Sequence, residues 1–321
     1  MKRNVAWLGL FLAGFGAVAI ACGSSSDGDG AGADDSGVNP KGDGGSVDDS
    51  GGDAGATACT PMGTPDDHVR NVVVSFPFDA AGDKATKFEL LSLAVDGTLT
   101  DTGKSFQMGT ATSQPVLFTP DGRIAVVAQD DGSIGVVRIE AGTPVVVNAA
   151  FKGTFNASSL VMDPSGSRLY VLDEDTADNG GGIYEVDIAC DGTLTDNGQI
   201  VPGSNAQAMG FVPSSSRAVL SGAEAFDSPD GSDTHLIDFS GGGASRVASG
   251  NGFVDGGAIV YSVAVMPDGK FALAADDGVG HGSRIAVVKI PEMTSAQIID
   301  TPNPAAVVAS PFGNAALVLN S

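Results

Sequence analysis

The sequence predicts an all-β chain folded as a propeller of four-stranded antiparallel blades, five to seven in number. Three observations predict it. One turn phrase is stated twice, AVDGTLTD at 94–101 and ACDGTLTD at 189–196. Short β-branched runs such as NVVVSF, GRIAVVAQ, RLYVLDE and RIAVVKI alternate with turn residues, and no window of twelve carries a helical period. The turns also recur at a regular spacing. Pro-led turns stand at Pro120, Pro164, Pro213, Pro267 and Pro311, in steps of 44, 49, 54 and 44. Gly-led turns stand at Gly97, Gly142, Gly192 and Gly242, in steps of 45, 50 and 50. A four-stranded unit of about 40–50 residues, repeated, is what a propeller blade requires.

Residues 1–21 read as an export signal. Lys2 and Arg3 form a basic start, and Val5 to Ile20 is an apolar run too short and glycine-rich for a membrane span. The run ends in Ala19-Ile20-Ala21-Cys22. That tetrad resembles the lipobox of bacterial lipoprotein precursors, with Ala19 in place of the more usual leucine. The resemblance implies that Cys22 carries lipid, palmitate included, and becomes the first residue of the mature chain. Gly23 rather than an aspartate follows it, which in Gram-negative lipoproteins implies the outer membrane.

Residues 22–58 form a tether. After Cys22 they are nearly all Gly, Ser, Ala and Asp, with eight aspartates, one lysine and no aromatic residue. Such a tract cannot bury enough apolar surface to offset its chain entropy, and its reach as a random coil is about 30–36 Å. The fragment DGDGAG is not a calcium loop, because Ala31 stands where a third oxygen ligand is needed.

Residues 59–321 are the propeller domain. Its first unit, 71–106, lacks a clear first strand, and its last, AAVVASPFGNAALVLNS, stops after a second. That abrupt stop raises the expectation that the natural chain runs further. The unit at 157–202 reads as ASSLVMD, RLYVLDE, GIYEVDIA and LTDNGQIV. Pro fixes the first turn position, and Asp, Ser and Gly suit the others. Tyr170-Val171-Leu172-Asp173 and the Pro-Asp-Gly-Arg/Lys turns resemble YVTN/lactonase-type propeller repeats. The resemblance covers about 70–321 and concerns fold more than activity.

The net charge of −23 excludes nucleic acid and anionic lipid as natural partners and suits a cationic ligand or a basic protein. Two cysteines remain after Cys22, so the exported domain has one possible internal disulfide, Cys59 with Cys190, which spacing alone leaves open. No GxSxG, HExxH or CxxC occurs, and Gly97 to Ser105 has one residue too many for a phosphate loop. The only tryptophan, Trp7, leaves with the signal, which argues against tryptophan-docked quinone sites and sugar-stacking lectins.

One constellation survives. In a meander the Pro and Gly turns share one end, and the loops joining second to third strands occupy the other. Those loops hold Asp130, Asp131, Asp173, Glu174, Asp175, Asp178, Glu224, Asp227, Asp230, Asp233, Asp276 and Asp277, with no lysine or arginine among them. Asp and Gly make good turns, and a solvated acidic edge is the plainer account. The sharper account is a site for Ca2+, a hard cation that takes about six to eight oxygen ligands. The leading expectation is therefore a lipid-anchored binding or scaffold module of the cell envelope. The alternative is a lactonase-like, metal-assisted hydrolase with its site at the acidic loop end and His281 as base.

The anchor is testable first. Cys22→Ala is expected to abolish incorporation of labelled palmitate and release the protein from the membrane fraction. Wild-type protein recovered unlipidated and soluble would contradict it.

Overall fold

The computed structural model describes residues 70–320, apart from 77, 80, 113, 175–180, 203–205, 223–231, 233, 241–242, 252–259, 277–282, 311–312, 314 and the side chain of Tyr261. The signal and tether, with Cys22 and Cys59, lie outside the described residues. Among the described residues there are 21 strands and no helix, so none is available to cross a membrane.

Six antiparallel sheets follow one another in chain order. The first has three strands: β1 (Arg70–Ser75), β2 (Lys87–Leu93) and β3 (Leu99–Gln107). The second is β4 (Leu117–Phe118), β5 (Ile124–Ala128), β6 (Ile134–Glu140) and β7 (Thr143–Phe151). The third is β8 (Ser159–Met162), β9 (Arg168–Asp173), β10 (Gly182–Ile188) and β11 (Leu194–Pro202). The fourth is β12 (Ala206–Phe211), β13 (Arg217–Gly222), β14 (Thr234–Asp238) and β15 (Ser245–Gly250). The fifth is β16 (Val260–Val265), β17 (Phe271–Asp276), β18 (Arg284–Lys289) and β19 (Thr294–Asp300). The sixth pairs β20 (Pro304–Ala309) with β21 (Ala316–Asn320). Each complete sheet is a plain meander, which makes the chain a β-propeller of antiparallel blades.

The repeated phrase now has a physical reason. In both copies the glycine takes a left-handed conformation, with φ of +85° at Gly97 and +89° at Gly192. Its N–H donates back to Ala94 or Ala189, and the aspartate before it accepts the N–H of Thr98 or Thr193. Those N–H bonds hold the carboxyls of Asp96 and Asp191 below their ordinary range. A turn that needs an acceptor, a left-handed glycine and a hydroxyl in sequence leaves little room for variation.

Burial shows how the sheets assemble. Side chains alternate across a strand, so each second strand serves two cores. Val126 of β5 faces the third sheet, while Ala125 and Val127 face the first. Leu169 and Val171 of β9 join the core shared with β5, while Tyr170 and Leu172 join that of the fourth sheet. Val219 of β13 and Leu273 of β17 carry the pattern to the fifth and sixth sheets. Tyr170, Phe211 and Phe239 meet between the third and fourth sheets, with Tyr170 and Phe239 centroids 4.5 Å apart. Offset aromatic contacts of this kind add about 0.5–1.5 kcal/mol to the area they bury.

Cys190, in the turn between β10 and β11, is disulfide-bonded, and its partner lies outside the described residues. The fourth and fifth sheets meet closely at one backbone contact. A Cβ added to Gly250 at the end of β15 would stand 2.0 Å from the carbonyl oxygen of Met293, whose side chain is fully buried. Gly250→Ala is therefore expected to lower unfolding free energy by about 1–3 kcal/mol, as overpacking does. Gly243→Ala, where nothing stands within 4 Å, serves as the control. Urea titrations of the two variants give the comparison, and equal midpoints would contradict this packing.

Candidate functional site

Antiparallel order puts the loops after each second strand at one end of the sheets, together with the connections that enter each first strand. A cavity of about 270 Å³ opens at that end, where the second and third sheets meet. Thr112 and Gln114 come from the segment before β4, and Asn156, Ala157 and Ser158 from the segment before β8. Ser159 opens β8 and Gln207 lies in β12. Gln129, Asp130 and Gly132 come from the loop after β5, and Glu174 follows β9. The described lining residues thus supply four carboxamides, three hydroxyls and two carboxylates, and no tryptophan, tyrosine or phenylalanine is among them.

Gln129 is the structural root of this wall. It directly follows the five fully apolar residues of β5 and is itself 1% exposed. A buried amide must be bonded at both ends. Its Nε2 donates to the carbonyl of Ala149, 2.8 Å away, and its Oε1 accepts the Ser133 hydroxyl, also at 2.8 Å. Gly109 and Gly135 flank the side chain, and a Cβ on either would stand 2.0 and 2.4 Å from its amide atoms. The same strand-end position recurs as buried Asp173, Ser221 and Asp276.

Of the other amides, Gln207 is oriented through its side chain, while Asn156 and Gln114 are held through their backbone N–H groups. Gln207 Oε1 accepts the Val260 N–H at 3.1 Å, which leaves its NH2 as the end available to a ligand. Asn156 is fixed through its backbone N–H, which donates to Asp173 Oδ2 at 2.9 Å. Its own Oδ1 rests against Gly132, where a Cβ would stand 1.7 Å away. Asp173 also raises the pKa of nearby Tyr184, second to the effect of burial.

The structure distributes the expected metal ligands differently from the sequence reading. Asp130 is ion-paired with Lys84, and Asp131 with Lys152 at 3.0 Å. Asp131 is held below the ordinary carboxyl range first by the Ser133 hydroxyl and, more weakly, by Lys152. Asp276 is buried against Arg284 at 3.2 Å. Asp173 accepts the backbone N–H already described. These cations come from neighbouring strands and connections, which a search within the loops does not reach. Asp175, Asp178, Asp227, Asp230, Asp233, Asp277 and His281 lie outside the described residues, as does Glu224. Among the described residues no three His, Cys, Asp or Glu side chains assemble to hold a metal.

The cavity amides are what the sequence reading missed. Two signals were available. A polar residue closes an otherwise apolar second strand at Gln129, Asp173 and Asp276, and an amide stands near the entry of three first strands at Gln114, Asn156 and Gln207. Neither signal is strong without knowing that the positions converge.

No protein-family model matches the sequence, and no curated protein matches it. Solved structures do. The periplasmic gluconolactonase of Pseudomonas aeruginosa superposes with a TM-score of 0.59 at 17% identity, covering 78% of this chain and 75% of that one. A putative 6-phosphogluconolactonase of Bacteroides uniformis gives 0.54 at 17% identity, covering 74% and 69%. Another, from Bacteroides fragilis, gives 0.50 at 13% identity, covering 81% and 89%. At these identities the likeness shows the fold alone, a β-propeller.

Gln129→Leu keeps the approximate volume but removes both amide bonds, leaving Ser133 with its bond to Asp131 and the Ala149 carbonyl without its amide partner. It is expected to lower unfolding free energy by about 1–3 kcal/mol. Calorimetry of wild type and variant measures this, and an unchanged melting temperature would show that the wall does not depend on the amide.

Proposed function

We propose that this chain is an exported lactonase, acting on a small polyhydroxylated lactone in the cavity between its second and third sheets. The observation that carries the reading is that cavity's wall of amides and hydroxyls beside two carboxylates, at the loop end of a propeller whose structural neighbours include lactonases. Amides and hydroxyls pair with the hydroxyls of a sugar lactone, each able to donate and accept. This reading follows the hydrolase alternative in place of the binding or scaffold module that was the leading expectation.

The residues divide the work as follows. Glu174, exposed at the mouth, is placed as general base. It takes a proton from water as the water oxygen bonds to the lactone carbonyl carbon. The NH2 groups of Gln207 and Gln114 are donors for the carbonyl oxygen as it gains negative charge. The ring C–O bond then breaks, and the proton held by Glu174 passes to the departing ring oxygen. The product is an open-chain hydroxy acid, which ionises and releases one proton to solvent.

Export fits the same reading. The Ala19-Ile20-Ala21-Cys22 tetrad supports a lipid-anchored outer-membrane protein, and a disulfide at Cys190 suits an oxidising compartment. Cys59 is the proposed partner of Cys190, because Cys22 is assigned to lipid.

Proton release from D-glucono-1,5-lactone, followed by pH-stat above the spontaneous rate, tests the activity. Wild type is expected to accelerate release, and Glu174→Gln to lower kcat by roughly 100-fold or more while KM and melting temperature hold, as loss of a general base does. A wild-type rate equal to the spontaneous one would overturn the lactonase reading.

A further inference from the structure

Among the described residues, the basic side chains at the cavity end are engaged by carboxylates. They are Lys84, Lys87, Lys152 and Arg284, and they rest on Asp130, Glu89, Asp131 and Asp276 in turn. The longer segments outside the described residues in this part of the chain, 175–180, 203–205, 223–231, 252–259 and 277–282, contain no lysine or arginine at all. Other basic residues sit at the opposite end. Arg123, Arg168, Arg217 and Lys270 follow the Pro-led turns, and Arg138 and Lys289 lie near the far ends of third strands. The cavity wall itself contains Asp130 and Glu174.

We infer that the cavity selects uncharged polyhydroxylated ligands and rejects phosphorylated ones. A unit charge about 7 Å from a carboxylate, at an effective dielectric near 20, is disfavoured by a factor of roughly 50. A phosphate dianion placed among these amides would face that repulsion with no arginine or lysine among the described lining residues to bind it bidentately or as a point charge. The same electrostatics has a consequence that rests on the lactonase reading. The lactone enters neutral and leaves as an aldonate anion, so hydrolysis converts a tolerated ligand into a repelled one. Release of product is then favoured by the wall that bound the substrate.

Binding, measured apart from hydrolysis, tests the selectivity. Isothermal titration of the purified mature protein with D-sorbitol and with D-sorbitol 6-phosphate compares two probes that differ by one phosphoryl group. Sorbitol is expected to bind about 30-fold or more tightly at low salt, and the gap is expected to shrink as NaCl rises from about 20 to 500 mM. Asp130→Asn, which removes a wall charge and releases Lys84, is expected to narrow the gap about tenfold. Asp238→Asn, beside Arg217 at the opposite end, is expected to leave it unchanged. Equal or tighter binding of the phosphorylated polyol would overturn the inference, and so would the absence of binding by either probe at 50 mM. Retained selectivity without lactone hydrolysis would sink only the lactonase reading.

Discussion

The fold depends on one constraint: each second strand must be buried on both faces. β5 and β9 are apolar at nearly every position because alternate side chains feed different cores. No sheet can therefore satisfy its own second strand, and neighbouring sheets are needed on each side. The same constraint expels polar groups from the middle of the sheets. A residue that must meet a ligand has only the strand ends and their connections to occupy. Gln129, Asp173, Ser221 and Asp276 lie at those ends, each buried at the point where the strand stops. The cavity forms where the third sheet meets the second and first strands enter from their connections. Its polar wall is the by-product of an apolar interior.

The two ends of the sheets differ in chemistry as well as shape. One end holds the tight Pro-led and Gly-led turns, where aspartates cap N–H groups and arginines sit nearby. Arg217 bonds Asp238 there, and Arg138 reaches the carbonyl of Asp191. The other end holds longer loops and carboxylates. Surface ion pairs such as these contribute little to stability, typically below about 1 kcal/mol. Their placement still decides which ligands are admitted, since a cation engaged by Asp130 or Asp131 is not offered to an incoming anion. Selectivity here arises from where charges are already spent rather than from how many there are.

Much of the architecture was legible because turns are local. Asp96-Gly97-Thr98 and Asp191-Gly192-Thr193 need nothing beyond their own residues to form, so their spacing shows the blade length directly. The missing first strand of the first unit and the two-stranded last unit were legible for the same reason. The site was not. Gln114 and Asn156 lie on two separate connections and Gln207 near the start of β12, and only the stacking of sheets brings them to one wall. Lys84 and Lys152 likewise reach Asp130 and Asp131 from outside their loop, so an acidic loop by sequence is a partly neutralised one in space. Chemistry assembled across sheets leaves no spacing for a single sequence to display.

The most direct measurement is a crystal structure of the mature protein soaked with D-glucono-1,5-lactam, a neutral ring that resists hydrolysis. The account predicts density between the second and third sheets, with the carbonyl oxygen on the amides of Gln114 and Gln207, a ring hydroxyl on Asn156 and Glu174 on the side of the carbonyl carbon. Lactam bound instead among the Pro-led and Gly-led turns, or a cavity filled only by water at saturating lactam, would contradict it.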